Sequence, residues 1–182
     1  YYRIGELDVS IDILDQIVDQ DIDSSESAYF YGLLYKAKKN NTIDELMAYV
    51  DITDDTTRKK QCYWQMLRTI KKKDSDPSLE AQLYLKAVNL YDDNYEHLAS
   101  LLNSFAWRMT EIGQLLPEAL GKVNYALEIK EDLKILDTKA EVLWKLGRVD
   151  EAIEVINECI QGNPEYQHYQ DQKAKFLETR AL

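Results

Sequence analysis

The chain has 182 residues, 45% hydrophobic and 30% charged, a composition that folds rather than staying disordered. Its formal net charge of −11 argues against nucleic acid or an anionic membrane as the main partner, because both require a cationic face. No run of about 18 apolar residues is present to insert into a bilayer, and six glycines with three prolines leave little punctuation for strands and much room for helices.

In chain order, "IGELDVSIDILDQIVDQ" places Ser10, Leu14, Ile17 and Val18 on one stripe at helical spacing, with Gly5 as a hinge ahead of it. It reads as a single helix over 1–20 whose partner is missing, and a chain that starts at Tyr1 without Met looks like a piece of a longer one. Its apolar side, including Ile11, Leu14 and Val18, must be covered, either by self-association through the N-terminal end or by the next helices. "SAYFYGLLYKAKKN" supplies the next helix, with Ala28, Tyr31, Gly32 and Tyr35 in register, and "TIDELMAYVD" a short, irregular partner, so 25–54 is a weak pair. "DITDDTT" at 51–57 caps the next helix. "QCYWQMLRTIKK", with Trp64 and Leu67, and "SLEAQLYLKAVNLYDDN", with Leu83, Ala87, Val88 and Leu90, make a second weak pair over 56–92.

The pattern sharpens over 95–131. Leu102, Phe105, Ala106 and Met109 form one stripe, Gly113 a hinge, and Ala119, Val123, Ala126 and Leu127 a second stripe. The same grammar returns over 133–164: Leu136, Ala140, Leu143 and Leu146, then Gly147, then Ala152, Ile156, Cys159 and Ile160. Gly147 stands where a left-handed residue ends a helix, Asp150 and Glu151 suit the start of the next, and Pro164 is a stop. The final segment, 165–182, is a polar helix carrying Tyr166, Tyr169 and Phe176, suited to capping an open end.

"LNSFAWRMTEIGQLLPEALGKVNYALEI" and "AEVLWKLGRVDEAIEVINECIQGNP" repeat at about 34 residues, and they resemble consecutive tetratricopeptide repeats. The family's small first-helix residue is at Ala106 and Ala140, its hinge glycine at Gly113 and Gly147, its second-helix alanine at Ala119 and Ala152, and its terminal proline at Pro164. Glu131 replaces that proline in the earlier copy, and Lys139 stands where the family prefers an apolar residue. The resemblance implies an all-α fold, a right-handed α-solenoid of stacked helix–turn–helix units in one repeat domain over 1–182. "LNSFAW", "LDTKAEVLWKLG" and "YQDQKAKFLE" are also similar to repeat regions that follow a thioredoxin-like domain in some bacterial envelope proteins.

The remaining motifs point to little chemistry. Cys62 and Cys159 form no CxxC, and His97 and His168 lie in unrelated segments as lone surface imidazoles, so no metal or cofactor is expected. Cys159 occupies a small, buried second-helix position. "DQDIDSSE", with Asp19, Asp21 and Asp23, is a solvated turn, because a calcium loop would need Gly at Ser24 and an acid at Phe30. In "RKKQCYWQMLRTIKKK", basic residues flank Tyr63 and Trp64, but Trp64 and Leu67 fall on the stripe facing a neighbouring helix, so nucleic acid is not the expected partner. "NNT" at Asn40 is a glycosylation signal only in a eukaryotic secretory route.

The expected function is therefore a non-enzymatic scaffold that holds a protein or peptide segment on its concave face; the alternative is the non-catalytic C-terminal arm of a thioredoxin-like thiol-disulfide protein. The resemblance puts Asn103 and Trp107, then Lys134, Asp137, Glu141 and Trp144, on that face. A fitting partner places an apolar anchor between the tryptophans and basic groups on Asp137 and Glu141, while Asn103 and Lys134 hydrogen-bond it. Repeat proteins that grip the acidic tails of chaperones line the same face with Lys and Asn, whereas this face carries acids among them. No binding of such a tail peptide is expected by calorimetry; micromolar affinity would overturn that assignment of the face.

Overall fold

Capping chemistry sets several of the helix ends. The computed structural model describes residues 4–20, 25–70 and 76–180, with the backbone alone at 4, 5, 7 and 25. Among these residues all regular structure is helical: α1 (Ile4–Asp19), α2 (Ser25–Asn40), α3 (Asp44–Ile52), α4 (Thr56–Ile70), α5 (Pro77–Val88), α6 (Leu98–Ile112), α7 (Leu116–Ile129), α8 (Leu133–Lys145), α9 (Val149–Gly162) and α10 (Gln167–Arg180). The all-α expectation holds. The helices divide into two compact units, residues 1–90 and 91–182.

In the first unit, Asp55 caps α4 by accepting from the backbone N–H groups of Thr57 (2.8 Å) and Arg58 (3.0 Å), and Asp76 caps α5 through Ser78, with Pro77 following. Asn41, at φ 59°, ends α2 in the left-handed conformation that asparagine tolerates, and the Thr42 N–H returns to the Ala37 carbonyl. α1 packs on α2, α2 on α3 and α4, and α4 on both α3 and α5. Ile11 is buried and Leu14 and Val18 are half-buried, so α2 covers part of the apolar side of α1 while Val9 and Ile13 stay exposed; Lys36–Asp15 (2.8 Å) and Lys39–Asp8 tie the two helices together. Gly5, expected at a hinge, lies inside the first turn of α1. On α4, Trp64 meets the Tyr84 ring edge-on at 5.4 Å, and of the basic residues Arg58 pairs with Glu26 and Asp55.

In the second unit, α6–α7 and α8–α9 are hairpins, α7 and α6 each pack on α8, and α10 closes the stack against α9 and α8. Gly147 has φ +76°, and the bonds Arg148 N–H to Leu143 carbonyl and Gly147 N–H to Trp144 carbonyl, both 2.9 Å, form a Schellman cap. Gly113, φ +66°, ends α6 in the same way, with Gln114 N–H on the Met109 carbonyl. Two residues separate Gly113 from α7 where one separates Gly147 from α9, and Leu115 takes up the extra one at φ 46°, a left-handed conformation that costs a leucine about 1–2 kcal/mol. Ala106, Ala119, Ala140 and Ala152 are wholly buried, beside Phe105, Met109, Val123, Ile156 and Cys159.

Those alanines set how closely the helices approach. Ala152→Leu should destabilise the protein by about 1–3 kcal/mol through overpacking, read as a lower midpoint in thermal circular dichroism; an unchanged midpoint would mean that Ala152 is not at a close helix crossing.

Candidate functional site

The face of α8 is built from its cap upward. The Asp132 carboxylate accepts from the backbone N–H of Lys134 at 2.9 Å and pairs with Lys130 at 2.9 Å, and these contacts hold it below the usual carboxylate range. From that start, Asp137, Glu141 and Trp144 recur at i, i+4 and i+7 and share one side of the helix. α10 lies along that side. His168 Nε2 is 3.0 Å from Asp137 Oδ2, Lys175 Nζ reaches Glu141 Oε2, and the Trp144 indole N–H donates to Thr179 Oγ1 at 2.9 Å. The Trp144 ring stacks on Phe176 at 5.7 Å and 29°, and the Lys175 ammonium stands 4.3 Å above it. Contacts 137–168, 141–175 and 144–179 advance together, so α8 and α10 run in the same direction.

The apolar anchor and basic groups expected from an outside partner are thus supplied here by the chain itself, with Phe176 fully buried. Sequence periodicity along α8 could mark the face but not its occupant. His168 is correspondingly no lone surface imidazole. The signal for it was the spacing on α10, where His168, Lys175 and Thr179 fall on one side around Phe176, facing acids spaced one turn apart.

The other expected residues are placed differently. Asn103 and Trp107 sit one turn apart on α6, both half-buried. The Trp107 indole N–H donates to Glu111 Oε1 of its own helix at 3.1 Å, and Arg108 holds the other Glu111 oxygen at 2.9 Å. The Asn103 side-chain carbonyl is buried without a hydrogen-bond donor. The step of about 34 residues from Gly113 to Gly147 puts Asn103 in the register of Asp137 and Trp107 in that of Glu141. Lys134 is exposed at the start of α8. The structure therefore groups Asp137, Glu141 and Trp144 under α10 and leaves Asn103 and Trp107 as a separate pair on α6.

Reactive chemistry is muted. Burial pushes the Cys62 thiol up to about 11 and the Cys159 thiol, beside Asp137 and Glu158, to about 12, so both stay protonated at neutral pH. Cys159 is fully buried, 3.6 Å from the Leu133 carbonyl. No three His, Cys, Asp or Glu side chains converge on a metal-sized site among the described residues. The centre of "DQDIDSSE", residues 21–24, lies outside them.

Asp137 is 9% exposed, and its Oδ1 has no hydrogen-bond partner. Burial raises its pKa, opposed by His168. A carboxyl whose folded pKa is raised contributes most below its unfolded value of about 3.9 and loses that contribution as pH rises through the folded value. Asp137→Asn, which cannot ionise, should therefore gain stability relative to the native protein as pH rises above the unfolded carboxyl value of about 3.9, in thermal melts across the acidic range. Parallel profiles would mean that the His168 contact fully offsets the burial. No protein-family model matches this sequence, and no curated protein matches it.

Proposed function

We propose that the chain is a non-catalytic protein-interaction scaffold, a right-handed α-solenoid of tetratricopeptide-like hairpins that holds a segment of another protein on its concave face. The observation that carries this reading is the contrast between the two tryptophans of the second unit. Trp144 is locked by Phe176, Thr179 and Lys175 of α10. Trp107 is half-buried, and its indole hydrogen bond is to Glu111 of its own helix.

Because α10 occupies the α8 portion of the face, a partner engages the α6 portion, with Lys134 at its edge. An apolar side chain packs on the Trp107 ring, the kind of residue that dominates interface energies. Turning the Asn103 amide outward exchanges its orphaned carbonyl for a hydrogen bond to the segment, recovering part of the about 1–3 kcal/mol that an unpartnered buried acceptor costs. α10 itself supports the grammar, since it is a segment of this chain bound by an aromatic anchor and basic groups.

The test isolates a ligand by pull-down with the native protein and compares two variants by calorimetry and circular dichroism. Trp107→Ala should weaken binding by about 2 kcal/mol or more with melting unchanged, whereas Trp144→Ala should lower the melting temperature because it strips α10 of its platform. Full affinity in a folded Trp107→Ala variant would move the binding surface off α6.

A further inference from the structure

A second surface lies where α7 ends and α8 begins, beside the C-terminal half of α9. Leu127, Leu133 and Leu136, each half-buried, floor an open recess of about 540 Å³, within the range of pockets that enclose sizeable ligands. The α9 end lies against this floor: a Cβ on Gly162 would fall 2.8 Å from a Leu133 methyl, so a larger residue there would push the Leu133 side chain aside. Glu128, Glu131 and Glu158 stand exposed on the rim, and none has an ion-pair or hydrogen-bond partner among the described residues. Asp132 is the exception, already neutralised by Lys130 and the start of α8. Glu158 also borders a second recess of about 280 Å³ over Leu120 and Val155, but there Lys139 and Arg148 line the wall beside Glu151 and Glu154, so the recess is of mixed charge and the acidic rim belongs to the first groove.

We infer that this groove docks a basic amphipathic segment of another protein, one whose leucine-sized side chains enter the recess while flanking lysines or arginines meet Glu128, Glu131 and Glu158. An apolar floor within a ring of unpaired carboxylates selects for that combination: it repels nucleic acid and anionic lipid, and gives a merely cationic ligand nothing to bury. α10 contributes no residue to the lining, so among the described residues of the second unit the floor is open. The groove shares no residue with the Asn103–Trp107 pair, and the two surfaces stand or fall separately.

The probe is a short synthetic helix with leucines on one face and lysines beside them, titrated into the full chain and followed by amide shift mapping and calorimetry. Shifts should centre on Leu127, Leu133, Leu136 and Glu158. The Glu128→Lys, Glu131→Lys, Glu158→Lys triple variant, changed only at exposed positions, should bind about tenfold or more weakly. The milder pair Glu131→Gln, Glu158→Gln should lose affinity in the same direction, keeping the test valid if the triple variant misfolds. A probe with serines for its leucines should not bind. Shifts centred on Trp107 or spread over the surface, equal binding of the serine probe, undiminished affinity in the folded charge variants, or no binding of the leucine probe would each overturn the proposal.

Discussion

A helical hairpin cannot bury its own apolar residues, and the second unit is organised by that shortfall. α8 is apolar towards α9 through Ala140 and Leu143, but Ile135, Thr138 and Val142 are also buried, so it needs neighbours on further sides. α6 and α7 supply one side and α10 the other. Small residues make this multiple packing feasible: with Ala106, Ala140 and Ala152 fully buried, the backbones come close and the larger Phe105, Ile156 and Phe176 fill what remains.

The closing helix shows how a polar segment can end such a stack. α10 buries only Tyr169, Gln172 and Phe176, yet it takes two carboxylates out of water with it. Glu141 keeps a cation, Lys175, which also sits over the Trp144 and Phe176 rings, so one ammonium offsets charge and covers aromatic surface together. Asp137 is served less well, by His168 on one oxygen and by nothing on the other. An ionised carboxylate in that position costs stability, and what the arrangement gains is register: with 137 on 168, 141 on 175 and 144 on 179, α10 cannot slide by a turn without orphaning both acids.

The same face chemistry bears on binding. Where stacking uses up a face, as α10 does on α8, its aromatic and charged residues become structure. Away from α10 the second unit keeps side chains whose needs its described residues do not meet: the Asn103 carbonyl has no donor, and Glu128, Glu131 and Glu158 line an apolar recess.

Local information in the sequence determined the helices. Gly113 and Gly147 are the residues that accept a left-handed terminus, the "DITDDTT" stretch supplies the Asp55 cap of α4, and the spacing of Ala140, Leu143, Ala152 and Ile156 is the period of a helix buried on one side. These effects act within a turn or two of chain, which is why residue order alone exposes them. Tertiary structure decided what covers each face. That His168 meets Asp137, that Trp144 is held while Trp107 keeps to its own helix, that Leu115 absorbs the extra turn residue, and that Leu127, Leu133 and Leu136 share one recess all depend on how two or three helices lie against each other. Periodicity specifies which side of a helix is sticky; only the relative placement of segments 31 to 35 residues apart specifies what sticks to it.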